Sequence, residues 1–338
     1  MIKRRGFLAI TAAGLAMAPI TASWDQEAME GKTSDSVEEG IREFLKLPGK
    51  QSFLIKVFPP ARSWRRSHQP NAQMFVGSAI KTFILAKYLQ EVEDEGRLSE
   101  GELLPINDGI RSLSSAVFGA NLDEAKNLIG SASARTVLEA MISHSDNTAT
   151  DAAIARVGIN QVRQFIASAG LTSTLIPDST RILLSYLAGA PAGVDVGWEG
   201  MKQIERGHLF GPARSPLNKQ VTMQSTASEL VSYYRRALQG EFFSKASTLT
   251  EFPRIQTMAE AIARVVPPDI KAYAKGGSID WQEFHAVCVP GQMVVTDVPV
   301  TFCFTVNWNG PKEGVPAVLA AYQAAVGKIL AGVAGLVG

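Results

Sequence analysis

Ser78 and Lys81 have the clearest capacity for covalent chemistry, because a hydroxyl and an amine three positions apart share one face of a helix. The apolar residues of 83–89 recur at roughly helical spacing, so a helix is predicted to begin near Ser78. A helix start also presents free backbone N–H groups that can hold a developing oxyanion. This geometry suits a serine nucleophile whose proton is taken by the lysine. Alone, a Ser-x-x-Lys spacing is expected roughly once by chance in a chain of this length.

Two further polar segments lie far along the chain from this pair. Ser145, Asp146 and Asn147 occupy a short bend between two predicted helices, where side chains of these types commonly cap a helix. Lys275 precedes two glycines at the end of an alternating strand pattern, and glycine at such a point permits close approach of a ligand or a second backbone. Taken singly, the first segment is an ordinary cap and the second an ordinary loop.

The three segments occur in an informative order: Ser-x-x-Lys at 78–81, Ser-x-Asn at 145–147 and Lys-x-Gly at 275–277. With their helix and strand contexts, they resemble the motif set of class A β-lactamases and their penicillin-recognising relatives. The resemblance covers nearly the whole mature chain. It implies an α/β (α+β) fold: an antiparallel sheet of about five strands, built from both chain ends, flanked by helices and carrying an inserted all-helical lobe. Ser78 is expected in the cleft between sheet and lobe.

The resemblance also implies a role for each matching residue. Ser78 is expected to be the nucleophile, Lys81 to accept its proton and Ser145 to pass a proton to the leaving nitrogen. The backbone N–H groups of Ser78 and Ser278 are expected to form the oxyanion hole. A buried Lys81 beside a second cation should have a lowered pKa, which makes a neutral amine available near pH 7. The residues expected to bind substrate are Asn147, Lys275, Gly277 and Ser278.

Two departures from the family pattern bear on the expected chemistry. Gly276 stands where the family has a hydroxyl residue that binds a substrate carboxylate, and Ser278 is the nearest substitute. The stretch 171–184, where class A enzymes carry a glutamate that activates water for deacylation, contains no glutamate. Asp178 is its only carboxylate and is either the deacylation base or part of a turn or helix cap; the cap is favoured. Loss of a positioned base slows deacylation roughly a hundred- to ten-thousandfold, so the sequence supports acylation better than rapid hydrolysis.

The sequence therefore predicts an exported serine hydrolase that forms an acyl-enzyme at Ser78 with an amide or ester carbonyl, β-lactams included. One alternative keeps the chemistry and changes the substrate, giving a D-alanyl peptidase-like enzyme or an esterase. The other is a non-enzyme, either a penicillin-binding sensor that does not turn over or an idle scaffold. In each case the expected partner is a small molecule, and a monomer without metal or cofactor is expected.

The first residues resemble a twin-arginine export signal. Arg4 and Arg5 precede Phe7-Leu8 and an apolar stretch that is too short for a comfortable membrane span of about 20 residues. Small residues at 21–23 predict a cleavage site there, with an uncleaved anchor as the alternative. A periplasmic or otherwise extracytoplasmic location follows. The predicted divisions are a signal peptide over 1–23, a flexible tether over 24–36 and one hydrolase domain over 37–338.

Within the hydrolase domain, residue patterns predict which stretches form strands, helices or loops. Residues 62–66 are basic and are predicted to form a solvated hairpin loop, and 72–76 is predicted to be a strand that leads into Ser78. The Gly- and Pro-rich stretch 189–223 is expected to form loops that line or cover the cleft. The predicted bounds are 50–77 and 270–307 for the sheet and about 82–225 for the helical lobe.

Composition limits the remaining classes of function. With 338 residues, 46% hydrophobic, and a net charge of +1 without long runs of one sign, the chain can bury a large core and shows no nucleic-acid signature. Its four histidines lack metal-ligand spacing. Cys288 and Cys303 lie on neighbouring predicted strands, where they form either a disulfide or two core thiols.

Overall fold

The computed structural model describes residues 23–58, 63–94, 96–113 and 128–338, with 23–33 described by their backbone alone. The predicted signal peptide lies outside these residues except for its last position. The helices are α1 (Ser23–Leu45), α2 (Lys81–Glu93), α3 (Ala134–Ser143), α4 (Asn147–Val157), α5 (Ile159–Ser168), α6 (Thr180–Leu187), α7 (Gly197–Glu205), α8 (Ala227–Leu238), α9 (Ala246–Gln256), α10 (Ile262–Val265) and α11 (Val315–Val337). The strands are β1 (Lys50–Val57), β2 (Trp64–His68), β3 (Met74–Phe75), β4 (Leu103–Ile106), β5 (Gly130–Ser133), β6 (Gln224–Ser225), β7 (Lys271–Ala274), β8 (Gly277–Trp281), β9 (Phe284–Val295) and β10 (Val298–Asn309).

Six strands from the two ends of the chain form one antiparallel sheet in the order β2-β1-β10-β9-β7, with β8 also paired to β9. The long strand β9 bonds β8 along its first half, where Gly277 lies opposite Cys288, and β7 along its second half, where Lys271 lies opposite Val294. The strands β7 and β8 therefore follow one another along β9. The break between them is the Lys275 segment. This arrangement confirms the predicted mixed fold with its inserted helical lobe.

Each face of the sheet supports its own core. Phe53 and Ile55 of β1 join the core under α1 and α11, whereas Leu54 between them joins the core under the helical lobe. This is the period of two that a strand covered on both faces requires. By length and composition alone, Lys312–Val337 is apolar enough to cross a membrane, yet its Tyr322 is fully buried against the sheet. The same pattern is typical of a core helix.

The second strand of the sheet was predicted in the wrong place. Arg65 and Arg66, which were expected in a hairpin loop, belong to β2; this strand pairs with β1 and leaves both arginines exposed at the sheet edge, while Arg62 lies outside the described residues. Charged side chains on an edge strand discourage pairing with another chain. The predicted strand over 72–76 shrinks to β3, which lies outside the main sheet and pairs with β6.

Two helix starts also differ from the sequence prediction. Helix α1 begins at Ser23 and so covers the predicted tether, a stretch with helix-favouring Glu, Ala, Met and Lys residues and one glycine. Near the nucleophile, a 3₁₀ turn over Gly77–Ile80 comes first, and the α-helix begins at Lys81. The Gly- and Pro-rich stretch 189–223 contains α7 as well as the expected loops.

Candidate active site

Ser78 lies in the 3₁₀ turn Gly77–Ile80, and its side chain is only 7% exposed. Gly77 has φ of +53°, in the left-handed region that favours glycine. This turn touches the start of β8: a Cβ atom on Gly77 would lie 2.8 Å from the Ser278 nitrogen, and one on Gly277 would lie 2.8 Å from the Ser78 nitrogen. The two glycines thus allow the backbone of the nucleophile to contact the sheet edge.

Lys81, the first residue of α2, is completely buried. Its Nζ donates to the Ser145 carbonyl and to Asn147 Oδ1, both at 2.7 Å, and lies 3.2 Å from Ser145 Oγ. Burial lowers the pKa of Lys81 to about 7, while the negative charges of Asp146 and Asp151 act in the opposite direction. A substantial fraction of the amine is therefore neutral near pH 7, as a proton acceptor requires.

The bend between α3 and α4 holds the predicted second segment in a fixed geometry. Ser145 has φ of +64°, a conformation that costs a non-glycine residue of order 1–3 kcal/mol and is common at functional sites. Asp146 caps α4, since its Oδ1 accepts from the Ala149 nitrogen at 2.9 Å. Asn147 Nδ2 donates to the Leu113 carbonyl at 2.7 Å, which turns Oδ1 toward the lysine.

Lys275 fills the break between β7 and β8 and is 3% exposed. Its Nζ donates to the Gly276 carbonyl at 2.7 Å. Burial lowers the pKa of Lys275 well below its ordinary value, and the positive charge of Lys81 lowers it further. Ser278 follows in β8, half-buried and in contact with the nucleophile's turn. The structure thus brings the three predicted segments together at one end of the sheet.

A buried carboxylate that the sequence analysis missed stands beside this group. Asp151, 4% exposed, accepts from Thr180 through its nitrogen at 2.7 Å and its Oγ1 at 2.8 Å, and from the Arg181 nitrogen at 3.1 Å. Burial raises the pKa of Asp151 to about 6, against the lowering effect of these hydrogen bonds. Thr180 Oγ1 also lies 2.8 Å from Ser112 Oγ. The available signal was the i,i+4 spacing from Asn147, which places both side chains on one face of α4.

Asp178, predicted to be either the deacylation base or part of a cap, forms an ion pair at the surface. Its carboxylate pairs with Arg163 at 2.6 Å and is 46% exposed. Its neighbour Ser179 supplies the helix cap by accepting from the Ile182 nitrogen at 2.9 Å. Glu199 is 78% exposed and pairs with a lysine of its own helix. In the described part of the chain, the ion-pair partner of each of these two carboxylates is a partly exposed cation.

The apolar residues of α7 pack against two residues that adjoin the site, one before the helical lobe's site asparagine and one at the end of β8. Trp198, Met201 and Ile204 form a small apolar cluster against which Leu113 and Trp281 pack. Leu113 provides the carbonyl that holds the site asparagine, and Trp281 ends β8. This position is consistent with the predicted one beside the cleft. Over the described ranges no group of three or more His, Cys, Asp or Glu is placed to hold a metal ion.

An antiparallel sheet, a helical lobe and a serine–lysine pair at their junction are the combination found in one class of serine hydrolases, and this chain has the same combination. Comparison with family models matches residues 38–297 to the beta-lactamase enzyme family, and the chain belongs to that family. Comparison with curated proteins gave no match.

Solved structures agree with this assignment at the level of the fold. A beta-lactamase from Xanthomonas campestris is 15% identical with a TM-score of 0.63, covering 90% of this chain and 98% of its own. One from Chitinophaga pinensis is 16% identical with a TM-score of 0.63, over 87% and 98%. A protein named PBP-A is 16% identical with a TM-score of 0.61, over 88% and 95%.

Proposed function

We propose that this protein is a serine hydrolase that forms an acyl-enzyme at Ser78 with the carbonyl of an amide or ester, β-lactams included. The observation that carries the proposal is the Lys81 amine, fully buried one helical turn after Ser78 and held by Ser145 and Asn147. A buried amine with a pKa of about 7 suits proton transfer from a serine hydroxyl, because a substantial fraction of it is neutral near pH 7.

The proposed acylation accounts for every proton. The neutral Lys81 amine takes the proton of Ser78 as Oγ attacks the carbonyl carbon, and the N–H groups of Ser78 and Ser278 hold the resulting oxyanion. The C–N or C–O bond then breaks, and Ser145 delivers a proton to the leaving atom. The 3.2 Å separation of Lys81 Nζ and Ser145 Oγ supports the return of the lysine's proton by this route. An anionic substrate would favour the protonated form of Lys275.

A second candidate, slow release of the acyl group, is supported by the hydrogen bonds and ion pairs that already occupy Asp178 and Asp151. Asp178 is paired with Arg163, and Asp151 is occupied by three donors from Thr180 and Arg181. Neither arrangement presents a free base to a water molecule. We therefore favour rapid acylation with slow deacylation, which fits a D-alanyl peptidase-like enzyme or a sensor as well as a weak β-lactamase.

A chromogenic cephalosporin, followed by absorbance and by intact mass, separates these candidates. Steady colour that is absent in Ser78→Ala supports β-lactamase turnover, and a lasting mass increase without colour beyond one equivalent supports slow release. Consumption of a short activated ester while the cephalosporin is untouched supports an esterase. Equal behaviour of the wild type and Ser78→Ala with every substrate rejects acyl-enzyme chemistry.

We also propose export through the twin-arginine route, on the sequence pattern of Arg4 and Arg5. A double change of Arg4→Lys and Arg5→Lys keeps the charge and removes the arginine pair. Retention of this variant in the cytoplasm, with the wild type outside it, is the expected result of cell fractionation. Equal export of both chains contradicts the proposal.

A further inference from the structure

A second pocket, remote in sequence from the three site segments, lies between β1 and α8 and has a volume of about 290 Å³, at the small end of the range for ligand sites. Lys56 of β1 and Phe58, just after that strand, line one side, and Ser232 and Arg235 of α8 with Gln239, just after that helix, line the other. Leu54, two residues before Lys56, belongs to the core under the helical lobe, so these side chains point to that face of the sheet.

Three cationic side chains lie in or beside the pocket, and no carboxylate among the described residues neutralises them. Arg65 of β2 lies directly opposite Lys56 in the register, on the same face. Arg235 lies over the Phe58 ring at 4.0 Å, and its buried Nε has no hydrogen-bond partner among the residues that the structure describes. Within the described residues none of the three cations has a carboxylate partner. Like charges directly opposite one another destabilise a sheet, so this cluster opposes folding unless an anion joins it.

Among the described residues that line the pocket, the one acidic side chain already has its hydrogen bonds. Glu241 accepts from Arg236 Nε through both carboxylate oxygens at 2.9 Å and from Nη2 at 2.6 Å. This pair is neutral overall, so the charges of Lys56 and Arg235 in the lining, and of Arg65 beside Lys56 on the neighbouring strand, remain. The dipole of α8 favours Arg235 and Arg236 in its last turn, but it does not account for Lys56 on the sheet.

We propose that this pocket binds the phosphate group of a phosphomonoester, a dianion that Lys56, Arg65 and Arg235 together neutralise. An arginine fork donates to two oxygens of one phosphate, and an ammonium group supplies a point charge. Ser232 and Gln239 at the exposed rim offer further donors to the third oxygen or to the ester body. The pKa of Lys56 is lowered, first by partial burial and then by Arg65 and Arg235, and a bound dianion would reverse the effect of those two charges.

The test compares the thermal unfolding midpoint of the full chain in inorganic phosphate with its midpoint in chloride at equal ionic strength. Phosphate is expected to raise the midpoint, and Lys56→Gln and Arg65→Gln are each expected to weaken phosphate binding by about tenfold. Arg206→Gln, at an exposed arginine after α7, is the matched control and should change the affinity less than about twofold. An equal phosphate effect in all four proteins, or none in the wild type, overturns the proposal.

If Lys56→Gln or Arg65→Gln fails to fold, a variant that adds a negative charge to the pocket provides a second test. Ser232→Glu places a carboxylate at the exposed rim, where it should raise the midpoint without phosphate and abolish the phosphate-dependent rise. An undiminished rise in Ser232→Glu contradicts the assignment.

The source of the phosphate is resolved by two further probes. Binding of sn-glycerol 3-phosphate, lost in Arg65→Gln, indicates a soluble ester. Retention on phosphatidylcholine vesicles only when they contain phosphatidic acid, again lost in Arg65→Gln, indicates a lipid headgroup. Either result supports the site, and failure of both probes overturns it.

Discussion

At the scale of single residues, Lys81 decides what Ser78 can do. The sequence predicts the pair and a lowered lysine pKa, which it attributes to burial beside a second cation. In the structure burial is the largest cause of the lowered pKa, and Asp146 and Asp151 oppose it. Composition and spacing do not report how completely a side chain is desolvated, because that depends on which segments fold over it.

The pKa of Lys81 sets the pH dependence of acylation. The neutral amine is the reactive form, so the acylation rate of Ser78 should rise with pH through about 7 and level off above it. Stopped-flow measurement of the first turnover with a chromogenic cephalosporin checks this profile. Lys81→Gln should lower the rate by about 10²–10⁴-fold and remove the inflection. A rate that is flat between pH 5 and 9 would argue against Lys81 as the proton acceptor.

At the scale of elements, the approach of β8 to the nucleophile's turn depends on Gly277. A Cβ atom there would lie 2.0 Å from the Val76 carbonyl and 2.4 Å from the Ala79 nitrogen, distances that no packing tolerates. Gly277→Ala should therefore force β8 away and reduce acylation by at least about a hundredfold, the cost of losing one oxyanion donor.

The matched control for this change is Gly314→Ala, at a glycine with φ of −80° and no atom within 4 Å of the added carbon. Its acylation rate should equal that of the wild type. Acylation of Gly277→Ala at the wild-type rate would mean that β8 does not supply the oxyanion hole.

Thr180 joins the start of α6 to α4 through Asp151. Thr180→Val removes a hydroxyl that lies within 2.8 Å of both Asp151 Oδ2 and Ser112 Oγ and leaves buried polar atoms short of a partner. We expect the free energy of unfolding to fall by about 1–3 kcal/mol, measured by urea denaturation. Thr250→Val, at an exposed hydroxyl on α9, should change it by less than about 0.5 kcal/mol. An equal loss of unfolding free energy in the two variants would mean that the Thr180 hydroxyl does not stabilise this contact between α6 and α4.

The neighbouring strands β9 and β10 carry both cysteines as buried free thiols. Cys288 lies opposite Thr305, and Cys303 lies opposite Pro290, so the thiols are diagonal neighbours with sulfurs 3.9 Å apart. A disulfide requires about 2.05 Å, and the Thr305 hydroxyl already donates to Cys288 Sγ at 3.1 Å. We expect both thiols of the unreduced protein to react with an alkylating agent in denaturant. Labelling that needs a reductant would show a disulfide.

At the scale of the whole molecule, the sequence predicts the sheet, the helical lobe and the three segments that meet between them, because each has a periodic pattern or a motif. It misplaces β2, since an edge strand with two exposed arginines has the composition of a loop. It misses the Asp151 network, which joins residues distant in sequence. The stretch 189–223 has Gly and Pro signals that predict loops, and α7 within it forms through packing of Trp198.

The central claim is that Ser78 becomes covalently acylated, and the most direct measurement is the mass of the peptide that contains it. After incubation of the full chain with benzylpenicillin, acid quenching and proteolysis, we predict the penicilloyl mass increase on the Ser78 peptide. The adduct should be absent in Ser78→Ala and strongly reduced in Lys81→Gln. An adduct on another peptide, or none while both variants and the wild type remain folded, would contradict the account.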